Sequence, residues 1–134
     1  MFAAVPLMLV PLAFYNLVMI GFWGGGITAF SDTVMSVAML SGALWTLSLG
    51  DVLVLVALVV LFIEVLKATR SGNGSLLNHM LSMLVFIVFL VEFLLVRNAA
   101  TPIFFMLMII AFIDVVAGFA ISNRAAGRDV SIGL

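Results

Sequence analysis

Four ionisable side chains stand inside long apolar runs of this chain: Glu64, His79, Glu92 and Asp114. Placing such a group at the centre of a hydrocarbon layer costs roughly 2.5–3.5 kcal/mol on insertion scales, so each needs a partner or a purpose. Glu64 lies three residues before Lys67, and His79 follows the short polar stretch 71–75. On two helices joined by that stretch, Glu64 and His79 reach similar depth. A carboxyl beside an imidazole makes a proton relay, because histidine titrates near neutrality. The plainer alternative is an ion pair of Glu64 with Lys67 one turn on, with His79 reaching the membrane interface.

Asp114 is the deepest of the four. On a helix turning about 100° per residue, Ala111, Asp114, Gly118 and Ser122 fall within an arc of about 80°. This narrow stripe of small and polar residues reads either as a helix-packing face or as an ion or proton site. Glu92 sits about one turn from the outer end of its apolar run, where it pairs with Arg97 or extends to the headgroups. Trp23 and Trp45 suit interfacial positions. Asn78, His79, Ser82 and Glu92 share one side of their helix within about 140°, and Tyr15 and Asn16 offer further hydrogen bonds in the first apolar run.

Beyond these residues no reactive set assembles. One histidine among scattered acids has no metal-ligand spacing, and the nine methionines read as core filler. There is no Ser/His/Asp arrangement, nucleophile elbow or cofactor fingerprint, so no catalysis, cofactor or metal is expected. The stretch 71–75, Ser-Gly-Asn-Gly-Ser, lacks the following lysine and the strand-to-helix context of a phosphate loop. With no cysteine, disulfides, thiol redox chemistry and thiolate metal sites are excluded. Five Lys and Arg against six Asp and Glu leave no basic surface, which excludes nucleic acid as a partner.

The elements that must position the acids follow from composition. Of 134 residues, 66% are hydrophobic and 8% charged, with a mean hydropathy of +1.46, against roughly 45–50% and 25% in globular domains. That is the balance of an integral membrane protein. A hydrocarbon core of about 30 Å takes about 20 apolar residues per helix, and four stretches qualify: 2–22, 52–66, 76–96 and 102–121. The expected fold is therefore an all-α, multi-pass integral membrane domain over residues 1–134 with four transmembrane helices. The first stretch has no Lys or Arg ahead of it and reads as a retained helix, not a signal peptide. Pro6 and Pro11 make it start late or kink. Lys67, Arg70, Arg124 and Arg128 fall together if both termini are cytoplasmic, leaving Arg97 outside.

Between the first two spans the pattern changes to alternation around Ser41-Gly42, which predicts a short periplasmic β-hairpin over about 34–49. A two-residue turn at Ser41-Gly42 pairs Leu40 with Ala43 and Ala38 with Trp45, placing Val34, Ala38, Leu40, Trp45, Leu47 and Leu49 on one face. A fifth, short helix is the alternative. Gly50-Asp51 ends the strand, and Asp51 places its carboxylate at a helix N-terminus, where the dipole favours it.

Small multidrug transporters carry an acid in their first span and thiol-oxidising four-helix proteins carry cysteines; this chain has neither. The segments 41–47 (Ser-Gly-Ala-Leu-Trp-Thr-Leu), Gly50-Asp51, 64–70 (Glu-Val-Leu-Lys-Ala-Thr-Arg) and 128–134 (Arg-Asp-Val-Ser-Ile-Gly-Leu) resemble uncharacterised small four-span inner-membrane proteins of alphaproteobacteria. The resemblance covers the last two thirds of the chain and implies a bacterial inner membrane but no activity. The function expected is an accessory or scaffolding subunit packing against a larger membrane complex, respiratory or photosynthetic complexes being the class in view. The competing expectation is a homo-oligomeric channel or proton-coupled transporter using the intramembrane acids, since four spans enclose a pathway only by self-association. Expected partners are membrane lipid and either other membrane subunits or further copies of the chain.

Overall fold

The structure is a computed structural model that describes residues 6–21, 24–69 and 75–132, with backbone only for 75–76 and 122–132. Trp23, Arg70 and most of the 71–75 turn, and the side chains of Ser122, Arg124 and Arg128, lie outside the described residues. The chain is mostly helical and membrane-embedded. The helices are α1 (Leu9–Met19), α2 (Leu49–Thr69), α3 (Ser75–Leu95) and α4 (Pro102–Ile132), and strands β1 (Thr33–Ala38) and β2 (Leu44–Ser48) stand between α1 and α2. Within α2, α3 and α4, the stretches Leu49–Thr69, Leu77–Leu95 and Pro102–Ile121 are long and apolar enough to cross a membrane.

The first element departs from the expectation of a span over 2–22. α1 has 11 residues, about 16 Å at 1.5 Å per residue and so short of a 30 Å core. Proline sets its start: Pro6 precedes the helix and Pro11 falls in its first turn, where the missing N–H breaks no intrahelical bond. After α1 the chain folds back through a 3-10 turn (Gly26–Ser31) that buries Ala29 and Phe30.

β1 and β2 form the antiparallel hairpin, with Ala38 opposite Leu44, Val37 opposite Trp45 and Met35 opposite Leu47. This register is one residue from the expected one. The connection is a three-residue loop, Leu40–Gly42, closed by Met39 N–H to Ala43 O (2.8 Å) and Gly42 N–H to Met39 O (3.0 Å). Gly42 takes φ +91°, a left-handed conformation that glycine adopts without strain, so the loop gains a residue over a two-residue turn. A one-residue slip in register exchanges faces. Trp45 and Leu47 thus join Met35 and Val37, not Val34 and Ala38, and a bulge between Thr33 and Met35 absorbs the remaining offset. Leu49 belongs to the helix instead of the strand, and most of the hairpin is exposed.

β2 runs straight into α2. Ser48 Oγ accepts from the N–H of Asp51 (3.2 Å) while Asp51 Oδ2 accepts from the N–H of Ser48 (3.1 Å), a reciprocal capping box. Gly50, inside the first helical turn, lets α4 come close: a Cβ there would stand 2.8 Å from Ile103 Cδ1 and 3.2 Å from the Phe30 carbonyl. α4 opens with Thr101 as its cap, Oγ1 accepting from Phe104 N–H (3.2 Å), and Pro102 as its first residue.

α4 is the central helix, packed along both α2 and α3. Aromatic rings knit the α3–α4 contact through Phe86–Phe112, Phe89–Phe104 and Phe93–Phe104, with centroids 5.4, 5.4 and 6.4 Å apart. These pairs run antiparallel, whereas Gly50 against Ile103 at one end and Glu64 near Asp114 further along make α2 and α4 parallel. The outward surfaces carry Val59, Phe62, Leu84, Val91, Ile109 and Val116, an apolar exterior suited to lipid.

Candidate functional site

The ionisable residues fall into two polar layers, one toward each end of the bundle. In the layer away from the hairpin, α2 supplies Glu64 and Lys67, α3 supplies Asn78, His79 and Ser82, and α4 supplies Asp114 and Gly118. Glu64 is almost wholly buried at 1% exposure. Its Oε1 accepts from Lys67 Nζ at 3.0 Å and from the backbone N–H of Leu7, ahead of α1, at 3.2 Å. Asp114 is buried at 6% exposure, with Ser82 beside it on one side and Glu64 and Lys67 within electrostatic reach on the other. Ala111, one turn before it, is also buried, and Gly118, one turn after it, lies against His79, whose Nδ1 would be 3.2 Å from an added Cβ. The small-residue stripe of α4 is therefore used inside the chain's own bundle, with His79 packed on it beside Phe119 (ring centroids 5.9 Å). Glu64 and His79 thus meet different neighbours, Lys67 and Leu7 for the one, Gly118 and Phe119 for the other.

The arrangement is rich in acceptors. Glu64 Oε2 and Asn78 Oδ1 are buried without a hydrogen-bond partner among the described residues. Asn78 stands one turn from Ser82 on the same face of α3, the face that meets Asp114. Buried oxygens of this kind demand a donor or a positive charge. Among the described residues no group of three or more His, Asp or Glu gathers as a metal cage.

The second layer lies nearer the hairpin. Glu92 of α3 lies beside Asn16 of α1, its Oε2 buried without a partner among the described residues, and the Asn16 amide donates to the Leu12 carbonyl at 2.8 Å. Arg97 is exposed in the turn Arg97–Ala99 between α3 and α4. Tyr15 organises this end: its hydroxyl donates to Asn98 O at 2.9 Å and lies 2.7 Å from Thr101 Oγ1. Its fully buried ring stacks on Phe30 at 4.6 Å and meets Phe104 edge-on at 4.8 Å. Sequence reading marked Tyr15 as a hydrogen-bonding group but not as the anchor of α1. The available signal was Thr101-Pro102, a helix-start pattern whose hydroxyl has a free side for a second partner.

Trp45 is partly exposed on the hairpin, on the same face as Met35, Val37 and Leu47. No charged residue occurs between Asp32 and Asp51, so this element is neutral along its length, with Thr33, Ser36, Thr46 and Ser48 interspersed among its apolar residues. Compared with known proteins, the chain matches no family model, no curated protein and no solved structure.

Proposed function

We propose that this chain is a small integral-membrane accessory or scaffolding subunit that packs against a larger membrane complex, in a bacterial inner membrane with both termini cytoplasmic. The observation that supports this reading is the hairpin. It projects with Val34, Met35, Val37, Leu44 and Trp45 each more than 40% exposed, and a lone two-stranded hairpin is marginal in water unless something covers it. Meanwhile Glu64, Asp114 and the described part of the small-residue stripe are used within the bundle, and the uncharged hairpin offers a surface to a partner.

The test is mild solubilisation followed by sizing and identification of what travels with the chain, for the parent and for Trp45→Arg. The expected result is a hetero-complex of defined composition that Trp45→Arg loses while keeping its helical content. A closed homo-oligomer, unchanged by Trp45→Arg, overturns the reading. A second reading, a homo-oligomeric channel or proton-coupled transporter, draws support from the nearness of Glu64 and Asp114 at similar depth. Proton flux in vesicles holding this chain alone, abolished by Asp114→Asn, favours it.

A further inference from the structure

Beyond any docking role, we propose that a cleft between α1 and the first two turns of α2 seats one acyl chain of a membrane phospholipid, drawn from the leaflet on the hairpin side. The cleft has a volume of about 150 Å³, and across it Val10 and Pro11 of α1 face Leu49, Val52, Leu53 and Val56 of α2. The four α2 residues recur at the i, i+3, i+4, i+7 spacing of a single helix face, a stripe made for packing, yet α1 does not close on it. The contacts that fix α1 lie elsewhere. Tyr15 reaches Asn98 and Thr101 at the start of α4, and Leu7, ahead of α1, reaches Glu64 far along α2. Between these two ties α1 passes the head of α2 without packing along it as α4 does.

Chemistry, shape and position together name the occupant. Every residue lining the cleft is apolar, so neither water nor a headgroup finds a hydrogen-bond partner there, and apolar cavities of about this size stay dry while taking hydrocarbon ligands. Floor and rim differ: Pro11 and Leu53 are buried, whereas Val10 and Val56 are 54% and 42% exposed. The cleft therefore opens to the outside of the bundle. Because α2 is long and apolar enough to cross a membrane from Leu49 onward, that outside is hydrocarbon. From Leu49 to Val56 is about 10 Å along the axis at 1.5 Å per residue, less than half of a core of about 30 Å. Only lipid of one leaflet reaches such a depth. A tail lying there touches protein on two sides, unlike the tails that cover the convex outer faces of α3, so it exchanges more slowly and fills a countable site.

The test is photolabelling of the full chain in phosphatidylethanolamine vesicles that carry a rising fraction of phosphatidylethanolamine with a diazirine in one acyl chain, followed by peptide mapping. In the parent, labelling of the segments 10–14 and 49–56 should saturate at one lipid per chain, while labelling around Val91, on the exposed side of α3, should rise in proportion to the probe. Val10→Phe and Val56→Phe each place a ring at the mouth of the cleft and should abolish the saturable component; Val91→Phe should leave it intact. Circular dichroism confirms that each variant is folded, and the saturation curve of the parent needs no variant at all. Cleft labelling that rises in proportion to the probe, or a saturable component that survives both cleft variants, overturns the proposal. So does a parent whose cleft takes no label, which means that protein covers it: residues 1–5 of this chain, a second copy or a foreign subunit.

Discussion

Replacing Tyr15 by phenylalanine isolates the polar half of the contact that ties α1 to the start of α4. The substitution keeps the ring, with its stack on Phe30 and its edge-on contact with Phe104, and removes the hydroxyl bound to Asn98 O and Thr101 Oγ1. A hydrogen bond contributes about 0.5–1.5 kcal/mol net, and a stranded buried acceptor costs about 1–3 kcal/mol. Between membrane helices measured couplings average about 0.6 and reach about 1.7 kcal/mol. Since the Tyr15 hydroxyl gives its one proton to Asn98 O, the Thr101 hydroxyl donates to it; Thr101 Oγ1 still accepts from Phe104 N–H, but Asn98 O and the Thr101 O–H both lose a partner, and the expected loss is about 1–2 kcal/mol. Tyr15→Ala also forfeits the ring packing and should cost about 3–5 kcal/mol. The assay is reversible unfolding in mixed detergent–lipid micelles followed by circular dichroism, with a double-mutant cycle against Thr101→Val giving a positive coupling of about 0.6–1.7 kcal/mol. A Tyr15→Phe protein within about 0.3 kcal/mol of the parent, or one as damaged as Tyr15→Ala, refutes the reasoning.

Further outcomes follow from close contacts and caps. Gly50→Ala drives a methyl to 2.8 Å from Ile103 Cδ1 and 3.2 Å from the Phe30 carbonyl; it should destabilise by about 1–3 kcal/mol in the same unfolding assay, and Ile103→Val should recover part of the loss. Gly118→Leu pushes against the His79 ring, 3.2 Å from the nearest new atom, and should cost more folded protein in a thermal aggregation series than the size-conserving Asp114→Asn. Ser48→Ala removes one arm of the capping box with Asp51 and should cost about 1 kcal/mol, read as a lower unfolding midpoint.

Much of this fold was legible because the bilayer imposes coarse rules. Long apolar runs announced the three spanning helices, and strict alternation announced a hairpin where a helix was the alternative. What escaped was set at single residues. Hydropathy over 2–22 is continuous, yet Pro6 and Pro11 delay α1 until Leu9, and hydropathy has no term for where a helix begins. The register slipped because Gly42, in a left-handed conformation, makes a three-residue loop from what reads as a two-residue turn. For the acids, periodicity placed Asp114 on the small-residue side of its own helix. That Ser82 stands beside it and Glu64 within electrostatic reach, from two other helices, depends on how those helices rotate and cross, which one helix's spacing does not encode. The approach of Asn16 to Glu92 was hidden for the same reason, the two being separated by more than half of the chain.

The contacts that hold α1 give the molecule a direction in time. Leu7 bonds to a residue 57 positions later, and Tyr15 to residues 83 and 86 positions later. α1 precedes the other helices in synthesis, yet the partners of Tyr15 do not exist until the turn before α4 has emerged. Until then its hydroxyl stays unsatisfied in lipid, or α1 waits in the headgroup region, because unpaired polar groups are costly in hydrocarbon. The anchoring of α1 through Tyr15 is thus completed only once the start of α4 has been made. A chain released before Thr101 is made has the first helix but no place to keep it.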